Sequence, residues 1–180
     1  MLIPGRRGCG RGFTLIEMMV VLAIGALLLT LVVPLMAGFV ASSKIRTAAE
    51  TWATGLQQAR AESIKQNTNV EFEIGTGVWQ VVRLADGAVL HQAAGKEGST
   101  EVVVTATPAG ATRVAFDSFG RVIAVSPVDG SSAITQLDFD VPNGASMGSD
   151  RRPLRLLLET GGAVKVCDPA LASTDPRACV

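Results

Sequence analysis

The residue whose type and position most clearly indicate a chemical role lies near the start of the chain. Glu17 opens a segment that is otherwise apolar, and the 26 residues from Met18 to Ser43 carry no charge. As a helix rising 1.5 Å per residue, that segment is long enough to cross the hydrocarbon core of a bilayer. An acid in such a segment is costly unless a cation neutralises it, which indicates a functional group.

The sequence around this acid resembles a known processing signal. Three arginines, Arg6, Arg7 and Arg11, precede the run Gly12-Phe13-Thr14-Leu15-Ile16-Glu17. This arrangement resembles the class III signal of type IV pilins and type II secretion pseudopilins. The resemblance implies that a prepilin peptidase cuts between Gly12 and Phe13 and methylates Phe13. The alternatives are a secretory signal, which is cut after its apolar region, and a plain anchor, which has no need of Glu17.

The same resemblance implies how the mature chain assembles. The carboxylate of Glu17 would pair with the methylated amine of Phe13 on a neighbouring subunit, and the apolar helix faces would form the filament core. The expected partners are prepilin peptidase, other minor pilins or pseudopilins, the major subunit and the bacterial inner membrane. The basic leader predicts a cytoplasmic N-terminus, a single membrane pass and a periplasmic C-terminal domain, followed by a place in the filament.

The length and charge of the chain are consistent with one small domain that follows a membrane anchor. We expect a cleaved leader over residues 1–12, a transmembrane and filament-core helix over 13–41, and a periplasmic domain over 42–180. Loss of the three leader arginines leaves 13 basic and 16 acidic residues, a net charge of −3. That balance is not typical of a nucleic-acid-binding protein.

The hydrophobic pattern predicts an α+β fold of the type IV pilin kind. One long helix is expected from about Thr14 to Lys65, with a bend at Pro34, because proline cannot donate to the carbonyl of Thr30. Its second half has a face of apolar and small side chains suited to packing on small antiparallel sheets. That face comprises Ile45, Ala48, Ala49, Trp52, Leu56, Ala59, Ser63 and Ile64. The predicted strands are 70–74, 78–84, 88–91, 101–107, 113–116, 121–125, 134–140, 154–158 and 163–167.

Two shorter motifs narrow the resemblance to one branch of the pseudopilins. The segment Phe116-Asp117-Ser118-Phe119-Gly120-Arg121 resembles the F-x-x-x-G-R motif of the GspH/FimT branch of pseudopilins. The run from Gly161 to Pro169 resembles the last strand of that branch, which ends at a cysteine. The order of predicted elements also agrees, so the resemblance covers most of the chain. Simple turn chemistry is an alternative explanation for Gly120 and Gly162.

The cysteines are consistent with an extracytoplasmic domain. Cys9 would leave with the leader, whereas Cys167 and Cys179 remain. An even pair in an oxidising compartment predicts a disulfide, with two free thiols as the alternative. A metal site is disfavoured, because no further ligands occur at suitable spacing.

No residue set predicts catalysis. His91 is the only histidine, and no carboxylate or cysteine accompanies it at a useful spacing. Asp138 and Asp140 loosely resemble the start of a calcium loop, but the following glycine and the terminal ligand are misplaced. We therefore expect no enzymatic activity, no cofactor, no metal and no small-molecule substrate.

A basic cluster near the C-terminus leaves a second function open. It consists of Arg151, Arg152, Arg155 and Lys165. Some FimT-type proteins bind DNA through a G-R-x-R motif, and Gly162-Ala163-Val164-Lys165 occupies that place here with one lysine for two arginines. A lysine lacks the forked geometry of arginine on phosphate.

The favoured function is a minor pseudopilin or minor pilin near a filament tip that primes assembly for secretion or piliation. The C-terminus closed by the two cysteines slightly favours the type IV pilus over the type II secretion pseudopilus. The alternative is a DNA-binding minor pilin acting in DNA uptake.

Overall fold

The computed structural model describes residues 13–75, 79–93, 102–141 and 152–179. The chain divides into two compact units, residues 1–36 and residues 37–180. One helix, α1 (Leu15–Gln66), runs through both units and contains 52 residues. Its limits differ by one residue at each end from the predicted ones. The helix continues through position 34, and the bend at Pro34 stays a prediction.

In the part of the chain that the structure describes, nine strands follow the helix, in the order in which the alternating pattern predicts them. They are β1 (Val70–Ile74), β2 (Trp79–Arg83), β3 (Val89–Ala93), β4 (Val103–Thr107), β5 (Arg113–Phe116), β6 (Val122–Ile123), β7 (Gln136–Asp140), β8 (Leu154–Leu158) and β9 (Val164–Cys167). Strands β1, β5 and β8 have the predicted bounds. Strand β6 is two residues long rather than five, because the chain turns away from β5 at Ala124 and forms only an isolated bridge at Val125.

The strands form two antiparallel sheets. The five-stranded sheet has the order β3-β2-β1-β5-β6, and the four-stranded sheet has the order β4-β7-β8-β9. Register places Phe72 of β1 opposite Val81 of β2 and Val114 of β5, so three apolar side chains share one face. In the second sheet Leu137 of β7 lies opposite Leu156 of β8 in the same way. Each sheet therefore has one apolar face available for packing.

The second half of α1 packs on those apolar faces. Ile45, Ala49, Leu56 and Ala59 are fully buried, as the three- and four-residue spacing predicts, whereas Ile64 is half exposed. Trp52 links the two sheets, because its ring lies 6.0 Å from Phe72 and 5.8 Å from Phe139. Aromatic pairs of this kind contribute about 0.5–1.5 kcal/mol beyond the area that they bury. The core thus joins the helix to both sheets.

A glycine on the buried face of the helix permits this close packing. A β-carbon at Gly55 would lie 2.8 Å from the Trp79 ring and 2.9 Å from the Phe72 ring. Those two rings stack with their centroids 5.4 Å apart. The helix approaches the five-stranded sheet closely here only because position 55 has no side chain.

Candidate assembly site

The first turn of α1 gives the N-terminal motif a local structural role. The Glu17 backbone N–H donates to Thr14 Oγ1 over 3.3 Å, and the Met18 N–H donates to the Thr14 carbonyl over 3.2 Å. Thr14 is therefore the N-cap of the helix and Glu17 its third residue, the spacing of a capping box. A carboxylate in the first turn also interacts favourably with the helix dipole. The role of Thr14 was missed from sequence, although the T-x-x-E spacing is its signal.

Glu17 is available to a partner outside its own chain. The residue is exposed, and within the described part of the chain its carboxylate has neither a hydrogen bond nor an ion pair. Phe13 lies just outside the helix and is 79% exposed. The two residues that the sequence selects for processing and assembly therefore lie at one accessible helix end.

The apolar side chains that follow are exposed in the single chain. The exposed large residues of this segment are Leu15, Ile16, Met18, Met19, Val20, Val21, Leu22, Ile24, Leu27, Leu28 and Leu29. They surround the helix rather than forming one stripe, so a single chain leaves a continuous apolar surface uncovered. Across the described residues, no helix meets both the length and the hydropathy needed to cross a membrane.

The C-terminal cysteines form the predicted disulfide. Cys167 and Cys179 are joined with a Cα–Cα distance of 5.1 Å. Backbone bonds order the loop between them, because the Asp168 N–H donates to the Arg177 carbonyl over 2.8 Å. Arg177 also pairs with Asp175 over 3.0 Å, and the hydrogen bond from its side chain lowers the pKa of that carboxyl. The loop is thus held by covalent, backbone and ionic contacts.

The F-x-x-x-G-R segment forms a rigid turn between β5 and β6. Asp117 Oδ1 accepts from the backbone N–H groups of Phe119 and Arg121, each over 2.9 Å, and Oδ2 accepts from Arg121 Nε over 2.9 Å. Burial alone raises the pKa of Asp117, but hydrogen bonds from Arg121 and Phe119 outweigh it and lower the pKa. The Arg121 guanidinium also lies 5.3 Å from the centre of the exposed Phe119 ring.

The basic cluster does not act as one group of free charges. Arg155 Nε donates to Asp138 Oδ1 over 2.7 Å, because register places β8 residue 155 opposite β7 residue 138. Arg152 and Lys165 have no ion pair within the described residues. Arg151 lies outside the described residues. Cross-strand pairing therefore neutralises one of the three cations that the structure describes.

The remaining candidates for chemistry have structural partners. His91 Nε2 lies 3.7 Å from Glu62 Oε1 on the helix. Within the described ranges, no group of three or more histidine, cysteine or acidic side chains is arranged to hold a metal ion. Asp138 pairs with Arg155 on the outer sheet face, as an ordinary strand residue does. This geometry supports association with other chains. The residues suited to it lie at the exposed N-terminal end of α1.

A long N-terminal helix on two small antiparallel sheets is the fold of the type IV pilin class. The crystal structure of the Pseudomonas aeruginosa (strain PAO1) type IV minor pilin FimU has this fold, with a TM-score of 0.54 and 17% sequence identity. The match covers 79% of this chain and 99% of that one. A second crystal form of FimU gives a TM-score of 0.49 over 75% of this chain and 99% of that one, again with 17% identity.

Family models agree with the fold. The model described as type II transport protein GspH matches residues 48–162, and the model described as prokaryotic N-terminal methylation motif matches residues 9–33. The chain belongs to the GspH family. It is a structural subunit of the minor pseudopilin and minor pilin class rather than a member of an enzyme family. No curated protein matches the chain significantly.

Proposed function

We propose that the chain is a non-enzymatic minor pseudopilin or minor pilin that primes a filament at or near its tip. Prepilin peptidase removes residues 1–12 by cutting between Gly12 and Phe13, and methylates Phe13. The helix over residues 13–41 anchors the chain in the bacterial inner membrane and then enters the filament core. The domain over residues 42–180 lies in the periplasm, while the precursor N-terminus is cytoplasmic.

The observation that carries the proposal is the unpaired carboxylate of Glu17 in an exposed apolar surface. Placed in a bundle of apolar helices, that charge needs a cation, because an uncompensated buried charge is strongly unfavourable. The new amine of Phe13 on a neighbouring subunit supplies one. Pairing neutralises both groups and sets the axial offset between subunits. The exposed apolar side chains after Glu17 then bury one another.

The DNA-binding alternative has weaker support. Arg155 is ion-paired with Asp138, so its guanidinium is already partly neutralised. Arg152 and Lys165 remain as cations without ion pairs in the described residues, and the mature chain carries a net negative charge. Phosphate binding depends on several cations acting together. These contacts favour a structural subunit over a DNA-uptake module.

The proposal is tested on the full chain expressed with an active prepilin peptidase. Intact-mass and N-terminal analysis should give a chain that begins at methylated Phe13. The processed chain should then co-purify with the other minor subunits of its machine. A bulky substitution, Gly12→Val, should block cleavage and abolish that co-purification. A mature chain that begins elsewhere, or assembly of the uncleaved precursor, would contradict the proposal.

A further inference from the structure

A groove of about 610 Å³ lies between the helix and the end of the four-stranded sheet. One wall is α1 from Phe39 to Glu50, and the other combines β8, β9 and the disulfide loop. The lining residues are Phe39, Ser42, Ser43, Arg46, Glu50, Arg152, Leu154, Val166, Cys167, Asp168 and Arg177. Cavities of this size are typical of sites for small ligands. Neither Glu17 nor Phe13 lines this groove, so the proposed assembly contacts leave it unused.

The groove is lined by three arginines, Arg46, Arg152 and Arg177, and by two carboxylates, Glu50 and Asp168. Two of its three arginines have partners, because Arg46 pairs with Glu50 over 2.8 Å and Arg177 pairs with Asp175. Arg152 is exposed and has no ion pair or hydrogen bond among the described residues. The groove therefore presents one guanidinium that is free to bind an anion in a bidentate manner.

An apolar ridge borders this cation. Phe39 is 69% exposed and Val40 is 47% exposed, although both belong to the well-packed C-terminal unit. Phe39 separates the groove from a second depression of about 260 Å³, lined by Phe39, Val40, Ser43, Lys44 and Thr47. A ligand that fits both features has an anionic head for Arg152 and an apolar tail for the side of Phe39.

We propose that this groove binds the headgroup of an anionic phospholipid, with Arg152 on the phosphate and Phe39 against the start of an acyl chain. Two observations select a lipid. The groove begins where the apolar run of the sequence ends, at Phe39 and Val40, and the first basic residues after that run are Lys44 and Arg46. A basic side chain next to an apolar segment is attracted to an anionic membrane surface by about 1 kcal/mol when no carboxylate neutralises it, which holds for Arg152 but not for Arg46.

The inference rests on the membrane localisation proposed above, but its test does not require processing or assembly in cells. The full chain is purified in neutral detergent micelles and exposed to equal amounts of dioctanoyl phosphatidylglycerol and dioctanoyl phosphatidylcholine. Native mass spectrometry then measures the lipid retained. The wild-type chain should retain several times more phosphatidylglycerol. Arg152→Gln should lower that retention about fivefold, the factor that corresponds to about 1 kcal/mol.

The variants separate this site from general charge attraction. Arg152→Lys should keep part of the retention, because it keeps the charge but loses the forked geometry of the guanidinium. Lys65→Gln, which removes an exposed helix charge outside the groove, should leave it unchanged. Thermal melting and disulfide content should match the wild type in all three variants, because both side chains are exposed.

Three outcomes would overturn the inference. Equal retention of the two lipids by the wild type excludes an anion-selective site. Displacement of the lipid by an equal concentration of glycerol phosphate indicates a site for free anions and not for a membrane lipid. Unchanged lipid retention in Arg152→Gln, together with lost co-purification of other filament subunits, shows that the groove is a protein interface. Failure of processing or assembly alone would count against the proposed function and not against this site.

Discussion

Gly162 lies against the carbonyl group of Gly120, so closely that a β-carbon on Gly162 would be 2.0 Å from that oxygen. Arg60 Nε donates to the same oxygen over 3.0 Å. Gly120 belongs to the turn between β5 and β6, and Gly162 to the turn between β8 and β9. The two short motifs that indicated the family from sequence are therefore in direct contact, and the helix joins them through Arg60.

Gly162→Ala should destabilise the domain strongly. Gly162 has φ +78°, a conformation that is unfavourable for alanine, and the added carbon has no room beside Gly120. Overpacking and a left-handed backbone each cost about 1–3 kcal/mol. Gly161→Ala is the matched control, because a β-carbon at position 161 would have no other atom within 4 Å. Chemical denaturation should separate the two variants by about 2 kcal/mol or more, and equal midpoints would contradict the packing argument.

Asp117 should make the turn between β5 and β6 sensitive to acid. Its pKa is lower in the folded chain than in the unfolded chain, so its contribution to stability is present above the unfolded pKa of about 3.8. That contribution is lost as the pH falls through the folded pKa. Asp117→Asn should therefore be less stable than the wild type at pH 7, and the difference should shrink below about pH 4. A stability difference that is constant from about pH 7 to about pH 2.5 would contradict this assignment.

The sequence predicts those parts of the fold that depend on local pattern. Strand β1 alternates apolar and polar residues and has the predicted bounds, although Glu71, which belongs to the polar side of that alternation, is buried. The helix face from Ile45 to Ala59 is buried as predicted, because its apolar and small side chains recur every three or four residues. The T-x-x-E spacing of Thr14 and Glu17 is also a sequence signal for the N-cap at Thr14.

Features that depend on distant partners were not predictable in this way. Asp138 pairs with Arg155 because β7 and β8 adopt one particular register, which a single sequence does not specify. The need for glycine at position 55 arises from Trp79 and Phe72, which reach the helix only after the sheet has formed. The groove beside Arg152 is likewise built by elements far apart in the chain.

The disulfide should contribute to stability without being required for the core. The bond between Cys167 and Cys179 spans a sequence separation of 12 residues, for which loop-closure entropy corresponds to about 3 kcal/mol. The Cys167→Ser, Cys179→Ser double variant should therefore unfold at lower denaturant concentration and still fold cooperatively. Alkylation of the unreduced wild-type chain after unfolding should find neither thiol free. Labelling of both thiols in that experiment would contradict the pairing.

Glu17 should be needed for filament assembly because of its charge and not because it caps the helix. Glu17→Gln removes the charge but keeps a residue that suits the third position of a capping box. It should be inserted and cleaved normally, since a neutral side chain eases insertion. In the filament, however, the Phe13 amine of a neighbour would lose its partner, at a cost of about 3–5 kcal/mol.

Two further variants isolate that effect. Thr14→Ala removes the hydroxyl that accepts from the Glu17 N–H but leaves the carboxylate, so assembly should persist with only a frayed first turn, a cost of about 1 kcal/mol. Glu50→Gln removes an exposed helix carboxylate outside the apolar segment and should assemble normally. Co-purification of each processed variant with the other filament subunits is the measurement. If Glu17→Gln assembles like the wild type while Thr14→Ala does not, the geometry of the helix start, and not the charge, is what the filament requires.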